Sequence, residues 1–272
     1  MDKHIIEMLG RSKVTIENGR IVDVTDPIVK YCPLFKKYHN IDEINRGIVK
    51  ENCEFRMRKF GMCSENRSVR MKNFLSFGIS EMLSSALKMR IIDAVVIAAD
   101  GCGTAVIEDP EIVQGMGGRI SGIIETSPIA KVINEIGSER VLDAKNVTID
   151  QFEGVKKAFS MCYDAVAVTI TSVKDAERIR ECFGKDVIII AVHTTGASME
   201  EAKRIFEFCD IITSCASRWI REFAKERAIL QVGTKVPVYA STSNGAKLIK
   251  VKLDELGREP DSVLEDGPRP LV

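Results

Sequence analysis

The feature that most constrains the fold is a rhythm. From Ile91 onward, short runs rich in Val and Ile alternate with charged segments that carry one apolar face. Strand-like runs fall at 94–99, 141–144, 165–170, 187–192, 211–213 and 236–240, and amphipathic helices are predicted at 174–183, 199–208 and 218–226. Three successive strand starts, Ala165, Val187 and Ile211, are about 23 residues apart, the length of a compact strand–helix unit. Apolar strands joined by helices imply a parallel sheet with both faces covered. Right-handed connections then favour an open sheet. The expected class is α/β: a mostly parallel, doubly wound sheet with helices on both faces, preceded by a smaller α+β region, with a partial barrel as the competing arrangement.

The first ninety residues read differently. The stretch VTIENGRIVDV, Val14 to Val24, alternates apolar and polar residues around Asn18-Gly19, a strong hairpin signal. Helices are expected at 41–62, with Asp42 as a cap, and at 68–89. The domain division is therefore 1–90, with a hairpin and cysteine-bearing helices, 91–256 for the α/β sheet, and 257–272 as an extended tail carrying Pro260, Pro268 and Pro270.

Composition narrows the partners. The 272 residues contain 39 Lys+Arg and 39 Asp+Glu, so no global charge draws the chain to nucleic acid or an anionic membrane. No apolar run approaches the roughly 20 residues of a membrane span, and the start, Met-Asp-Lys-His-Ile-Ile-Glu, lacks the pattern of a secretion signal. A cytoplasmic protein is expected. Its eight cysteines are then thiols or metal ligands before they are disulfides.

Ligands of open parallel sheets bind beyond the carboxyl ends of the strands. The residues following the predicted strands form one set: Asp100 to Thr104, Thr169 and Thr171, His193 to Gly196, Ser214 to Ser217, and Ser241 to Gly245. Small hydroxyls and glycines also belong to ordinary caps and turns. The concentration of Cys102, His193 and Cys215 at that edge is not accounted for by turns, and His193 is a candidate base for a Cys102 or Cys215 nucleophile. Ser241, Ser243, Asn244 and Gly245 open the last helix and are candidates to cradle a phosphate, with Lys235 upstream. The string GMGGRISG supplies Gly117, Gly118 and Arg119 as a second anion-binding candidate.

The cysteines divide into two groups. Cys162, Cys182 and Cys209 fall on later helices at positions expected to face the core. Cys32, Cys53, Cys63 and Cys102 sit in or beside turns and helix ends, and Arg56, Arg58, Lys59, Arg67 and Arg70 surround the Cys53–Cys63 pair. Positive charge favours the thiolate that binds metal. Four thiolates suit an iron–sulfur cluster of the 4Fe-4S type or zinc. The intervals of 20, 9 and 38 residues contain no CxxC, so such a site must be built by folding. Gly101 and Gly103 would let backbone N–H groups approach the cluster or an anion.

The strings YCPLF, CEFRMRKFGMCSENR, VVIAADGCGTAVI, GMGGRISGIIETSPI and VPVYASTSNGAKLI resemble methanogenesis marker protein 8, a family largely confined to methane-producing archaea. The likeness spans nearly the whole chain. It implies an anaerobic cytoplasm and genomes that also encode methyl-coenzyme M reductase and the assembly machinery of its nickel cofactor. The leading expectation is an accessory protein of methanogenesis with a cysteine-ligated iron–sulfur or metal centre, assisting maturation or activation of that enzyme alongside protein partners of the methanogenesis machinery. The alternatives are a small-molecule enzyme binding a phosphate-bearing ligand at the sheet edge, and a metal-free interaction module.

Overall fold

The computed structural model describes residues 2–72, 77–117, 122–261 and 267–272; the predicted ligand residues Gly118 and Arg119 lie outside them. The chain opens with β1 (Lys3–Glu7), a 3-10 turn (Leu9–Arg11), β2 (Lys13–Glu17) and β3 (Arg20–Val24). Asn18 and Gly19 take φ of 47° and 74°, the left-handed pair that lets a two-residue turn follow the twist of its strands. Two helices follow, α1 (Pro33–His39) and α2 (Arg46–Phe60), where one was expected at 41–62. Asn40, with φ 54°, ends α1, and the Asn45 side chain caps α2 by accepting from Ile48 N at 3.0 Å. Asp42 is instead paired with Lys36 at 2.6 Å.

Next comes α3 (Ile79–Lys88), only the second part of the helix expected at 68–89. Tertiary contact overrides propensity there. Met71 N donates to Glu111 O at 3.0 Å, and a Cβ on Gly115 would stand 1.9 Å from Val69 O. The 67–71 segment is thus clamped against the chain around 111–115.

The remaining elements are β4 (Ala94–Ala99), β5 (Gly103–Ile107), α4 (Pro110–Gly117), β6 (Gly122–Glu125), α5 (Ala130–Ile136), α6 (Gln151–Ser160), β7 (Val166–Ile170), α7 (Val173–Phe183), β8 (Val187–Ala191), α8 (Met199–Phe208), β9 (Ile211–Thr213), α9 (Arg218–Arg227), β10 (Leu230–Val232), β11 (Val238–Ala240) and α10 (Ser243–Leu256). They form a mixed α/β protein with two sheets. The small antiparallel sheet runs β3-β2-β1-β6, and the large one β10-β11-β9-β8-β7-β4-β5. In the small sheet, alternate residues Ile6, Val14 and Ile16 are buried with Val49 and Cys53 of α2.

The large sheet is mixed rather than mostly parallel. Strands β4, β7, β8 and β9 pair in parallel, while β5 on one side and β11 on the other run antiparallel to them, and β10 pairs antiparallel with β11. A tight turn joins β4 to β5 and forces that antiparallel pairing, because a parallel partner needs a long crossover. The parallel strands advance in one direction without reversing. A doubly wound order reverses at a switch point, and no reversal occurs among these four strands. Helices nevertheless cover both faces. Side chains of α6, α7, α8 and α9 pack on one, and those of α3, α4, α5 and α10 on the other. The strand expected at 141–144 is a single bridge between Val141 and Ala105.

The two sheets exchange elements across residue 90. β6 completes the small sheet beside β1, whereas Met82, Leu83 and Ala86 of α3 belong to the core of the large one. In the tail, Arg269 bridges to Tyr31 and Val272 N donates to Ala216 O at 3.0 Å, so residues 267–272 strap one unit to the other. No helix among the described residues is long and apolar enough to cross a membrane.

Candidate functional site

The turn at Gly101-Cys102-Gly103 is built for packing. Gly101 (φ 84°) and Gly103 (φ 61°) close the β4–β5 hairpin in a conformation that disfavours side chains. A Cβ on Gly101 would meet Ile129 at 2.7 Å, and one on Gly103 would meet Val147 O at 2.1 Å. Cys102 itself is fully buried, its thiol directed at Gly103 O (3.4 Å) and Ala99 O (3.7 Å). The close approach that the glycines permit is by the protein's own chain, the Ile129 side chain at Gly101 and the Val147 backbone at Gly103.

Folding brings the four cysteines of interest only partly together. Cys53 and Cys63 are buried in the core of the small sheet with Cys32 at its margin. Cys102 lies in the core of the large sheet. Between them is Asp100, whose Oδ2 accepts from Cys63 N at 2.7 Å. Among the described residues, no group of three or more His, Cys, Asp or Glu side chains is placed to hold a metal ion. The expected electrostatics also reverse. Burial pushes the Cys53 and Cys102 thiols up to about 12 and raises Cys63 as well, outweighing Arg56 beside Cys53 and Arg67 beside Cys63 and Cys102. Cys162 and Cys182, expected to face the core, are exposed, and only Cys209 is buried.

The Ser241–Gly245 loop falls on the opposite edge from the one predicted. β11 runs antiparallel to β9, with Ala240 opposite Ile211, so its end lies at the amino edge of the parallel strands. There Ser241 Oγ donates to Asp210 O (3.2 Å), Thr242 Oγ1 donates to Asp210 Oδ1 (2.6 Å), and Gly245 N donates to Thr242 Oγ1 (3.2 Å). These hydroxyls cap α10 and tie it to the sheet. Asn244 lines a cavity of about 240 Å³ with Lys185, Lys247, Asp164 and Asp186. Two lysines face two aspartates in that space, and neither an imidazole nor a thiol lines it. Gly117, the described part of the other anion candidate, ends α4 and would place a Cβ 3.5 Å from Ser80 Cβ.

At the carboxyl edge, a smaller cavity of about 110 Å³ lies between the 3-10 turn after β1 and the carboxyl ends of β7 and β8. It is lined by Arg11, Thr171, His193, Thr195, Gly196 and Glu201 among others. His193 follows β8 with φ 55°, and its Nδ1 stands 3.8 Å from Glu7 Oε1 at the end of β1. Glu7 Oε2 also accepts from Arg11 Nε at 3.4 Å. A Cβ on Gly196 would meet Arg11 Nη1 at 2.3 Å, and one on Gly122 would lie 3.5 Å from His193 Cδ2. Backbone therefore flanks both the guanidinium and the imidazole. Burial lowers the His193 pKa, with Glu7 opposing that shift and Arg11 adding to it. Glu201 is held below the usual carboxylate range by the Ser198 N–H and hydroxyl in a capping box at the start of α8.

Neighbouring loops set this edge. Thr195 Oγ1 accepts from Ala216 N at 3.1 Å, and Thr194 Oγ1 donates to Thr213 O at 2.6 Å. Cys215 is half-buried with Thr213 Oγ1 3.5 Å from its sulfur. Cys102 is not a partner for His193, since β7 lies between their strands and two strand spacings amount to about 10 Å. Sequence reasoning found His193, Thr195 and Gly196 but missed Glu7 and Arg11. Their only signal was a charge pair at i, i+4 across Gly10.

Fold and cavity together define a mixed α/β protein with a polar, histidine-bearing recess where two sheets meet. The chain belongs to the family described as "Uncharacterized protein conserved in archaea (DUF2099)", which residues 4–254 match. It is similar to the uncharacterized protein MJ0054 of Methanocaldococcus jannaschii, 42% identical over 283 aligned positions that cover 100% of both chains. No solved structure gives a significant match.

Proposed function

We propose that the protein binds a small anionic molecule in the recess between β1, β6 and the carboxyl ends of β7 and β8, and that His193 exchanges a proton with it. The observation that carries this reading is that His193 and Arg11 line one cavity, with Glu7 paired to both, at the edge where open sheets place their ligands. A histidine held below its usual pKa is neutral near pH 7 and can accept a proton, while Glu7 stabilises the imidazolium that results. Arg11 supplies the charge that recognises a carboxylate or phosphate. A space of about 110 Å³ admits one such group rather than a whole nucleotide.

The narrower assignment to methanogenesis marker protein 8, and with it service to methane formation, is supported by the strings around Tyr31–Phe35, Cys102 and Ser241. A cysteine-held cluster draws less support than the recess, because Cys102 lies in a different core from Cys53 and Cys63. Thermal-shift measurements with carboxylate- and phosphate-bearing metabolites test the reading. A ligand of the recess raises the melting temperature of the wild type by mass action and loses that effect in Arg11→Gln.

A further inference from the structure

Three basic side chains are at least nine-tenths buried among the described residues: Arg67, Lys252 and Arg221. Arg67 is paired with Asp100 at 3.0 Å, and Lys252 with Glu255 at 3.1 Å. Arg221, 7% exposed, has no carboxylate partner among the described residues. Its Nη2 donates to Cys215 O at 3.3 Å and Lys235 O at 3.1 Å, and its Nε donates to nothing. A charge buried without its counterion is costly.

Among the described residues the partners of Arg221 are backbone carbonyls rather than carboxylates. Ser214, fully buried in the turn after β9, has an unpartnered Oγ. Gly267 places tail backbone so close that a Cβ there would lie 3.1 Å from the guanidinium. We propose that Arg221 and Ser214 form a second anion site, separate from the His193 recess, that takes a small oxyanion, carboxylate or phosphate, as the missing counterion. The guanidinium offers a planar donor edge suited to either group. Gly267 stands close against the guanidinium, so the occupant is small.

The test uses the full chain with inorganic phosphate and with acetate, each against sodium chloride at equal ionic strength. Two readouts are taken: melting temperature, and the alkylation rate of Cys215 followed by peptide mapping with exposed Cys182 as the internal control. The expected result is a rise in melting temperature with one or both oxyanions and selective slowing at Cys215, roughly threefold at twice the Kd. Phosphate alone, acetate alone or both identify the class of occupant. Arg221→Met abolishes both responses, whereas loss of a merely structural arginine lowers the melting temperature and leaves the anion response in place. If neither oxyanion acts on the wild type beyond chloride, or if Arg221→Met responds as the wild type does, the proposal is overturned. Arg11→Gln leaves these responses intact, which separates this site from the recess.

Discussion

Arg67 and Asp100 form an ion pair sealed completely inside the protein, with Arg67 Nε 3.0 Å from Asp100 Oδ1 and 3.1 Å from Oδ2. The same guanidinium donates to Ser68 O (2.8 Å) and Gly115 O (3.0 Å), and Asp100 accepts from Cys63 N. One pair thus joins the loop after α2, the end of β4 and α4. Removing one partner leaves the other charge buried and alone. Asp100→Ala is expected to cost about 3–5 kcal/mol in urea denaturation, and replacing both residues by apolar ones of similar volume to recover much of that loss. Equal losses for the single and the double variant would contradict the arrangement.

Thiol chemistry follows burial. In the folded protein near pH 8, Cys162 and Cys182 are expected to react with iodoacetamide while Cys53, Cys63, Cys102 and Cys209 do not, because burial keeps the latter four protonated. Peptide mapping after brief alkylation reads the outcome. Rapid modification of Cys53 or Cys102 would show that the thiols are not held as described.

Close packing at Gly115 gives a third expectation. A methyl group there would stand 1.9 Å from Val69 O, a backbone atom fixed by the neighbouring Arg67 pair. Gly115→Ala should destabilise by roughly 1–3 kcal/mol or more. Gly184→Ala, where a Cβ meets nothing within 4 Å, serves as a comparison for backbone strain without a clash. A Gly115→Ala variant as stable as the wild type would show that the 67–71 segment is not clamped there.

These contacts mark where the sequence was legible. Strands β7, β8 and β9 and helices α7, α8 and α9 appeared at nearly their observed positions, because a buried strand and an amphipathic helix each carry their period locally. The β2–β3 hairpin was equally plain at Asn18-Gly19. What failed was non-local. Residues 68–72 read as helix until Arg67 and Gly115 pin them. Ser241–Gly245 was assigned to the wrong edge, since the direction of β11 depends on its pairing with β9 and not on its own residues. The start of β5, Gly103-Thr104, was read as part of a ligand loop because two glycines close its hairpin. Glu7 and Arg11 reach His193 from a strand more than 180 residues away, a meeting that no spacing can announce.

Titration of His193 has a definite sign. Burial lowers its pKa in the folded chain below the ordinary 6.5, so between those two values the unfolded chain binds a proton that the folded chain does not. The contribution of His193 to stability is therefore fully present above 6.5 and is lost as pH falls toward the folded value. Denaturation curves between pH 5 and 7 for wild type and His193→Gln measure it. The variant should show the shallower pH dependence; the same slope in both would mean that this imidazole is not buried as described.

The recess around His193, Glu7 and Arg11 is tested most directly by exposing the purified protein to a small-molecule extract of archaeal cells and identifying by mass spectrometry what it retains. The account predicts that the wild type enriches an anionic compound and that Arg11→Gln retains about tenfold less, the loss expected for one charge-assisted hydrogen bond. Equal retention by the two proteins, or a retained compound with neither carboxylate nor phosphate, would contradict it.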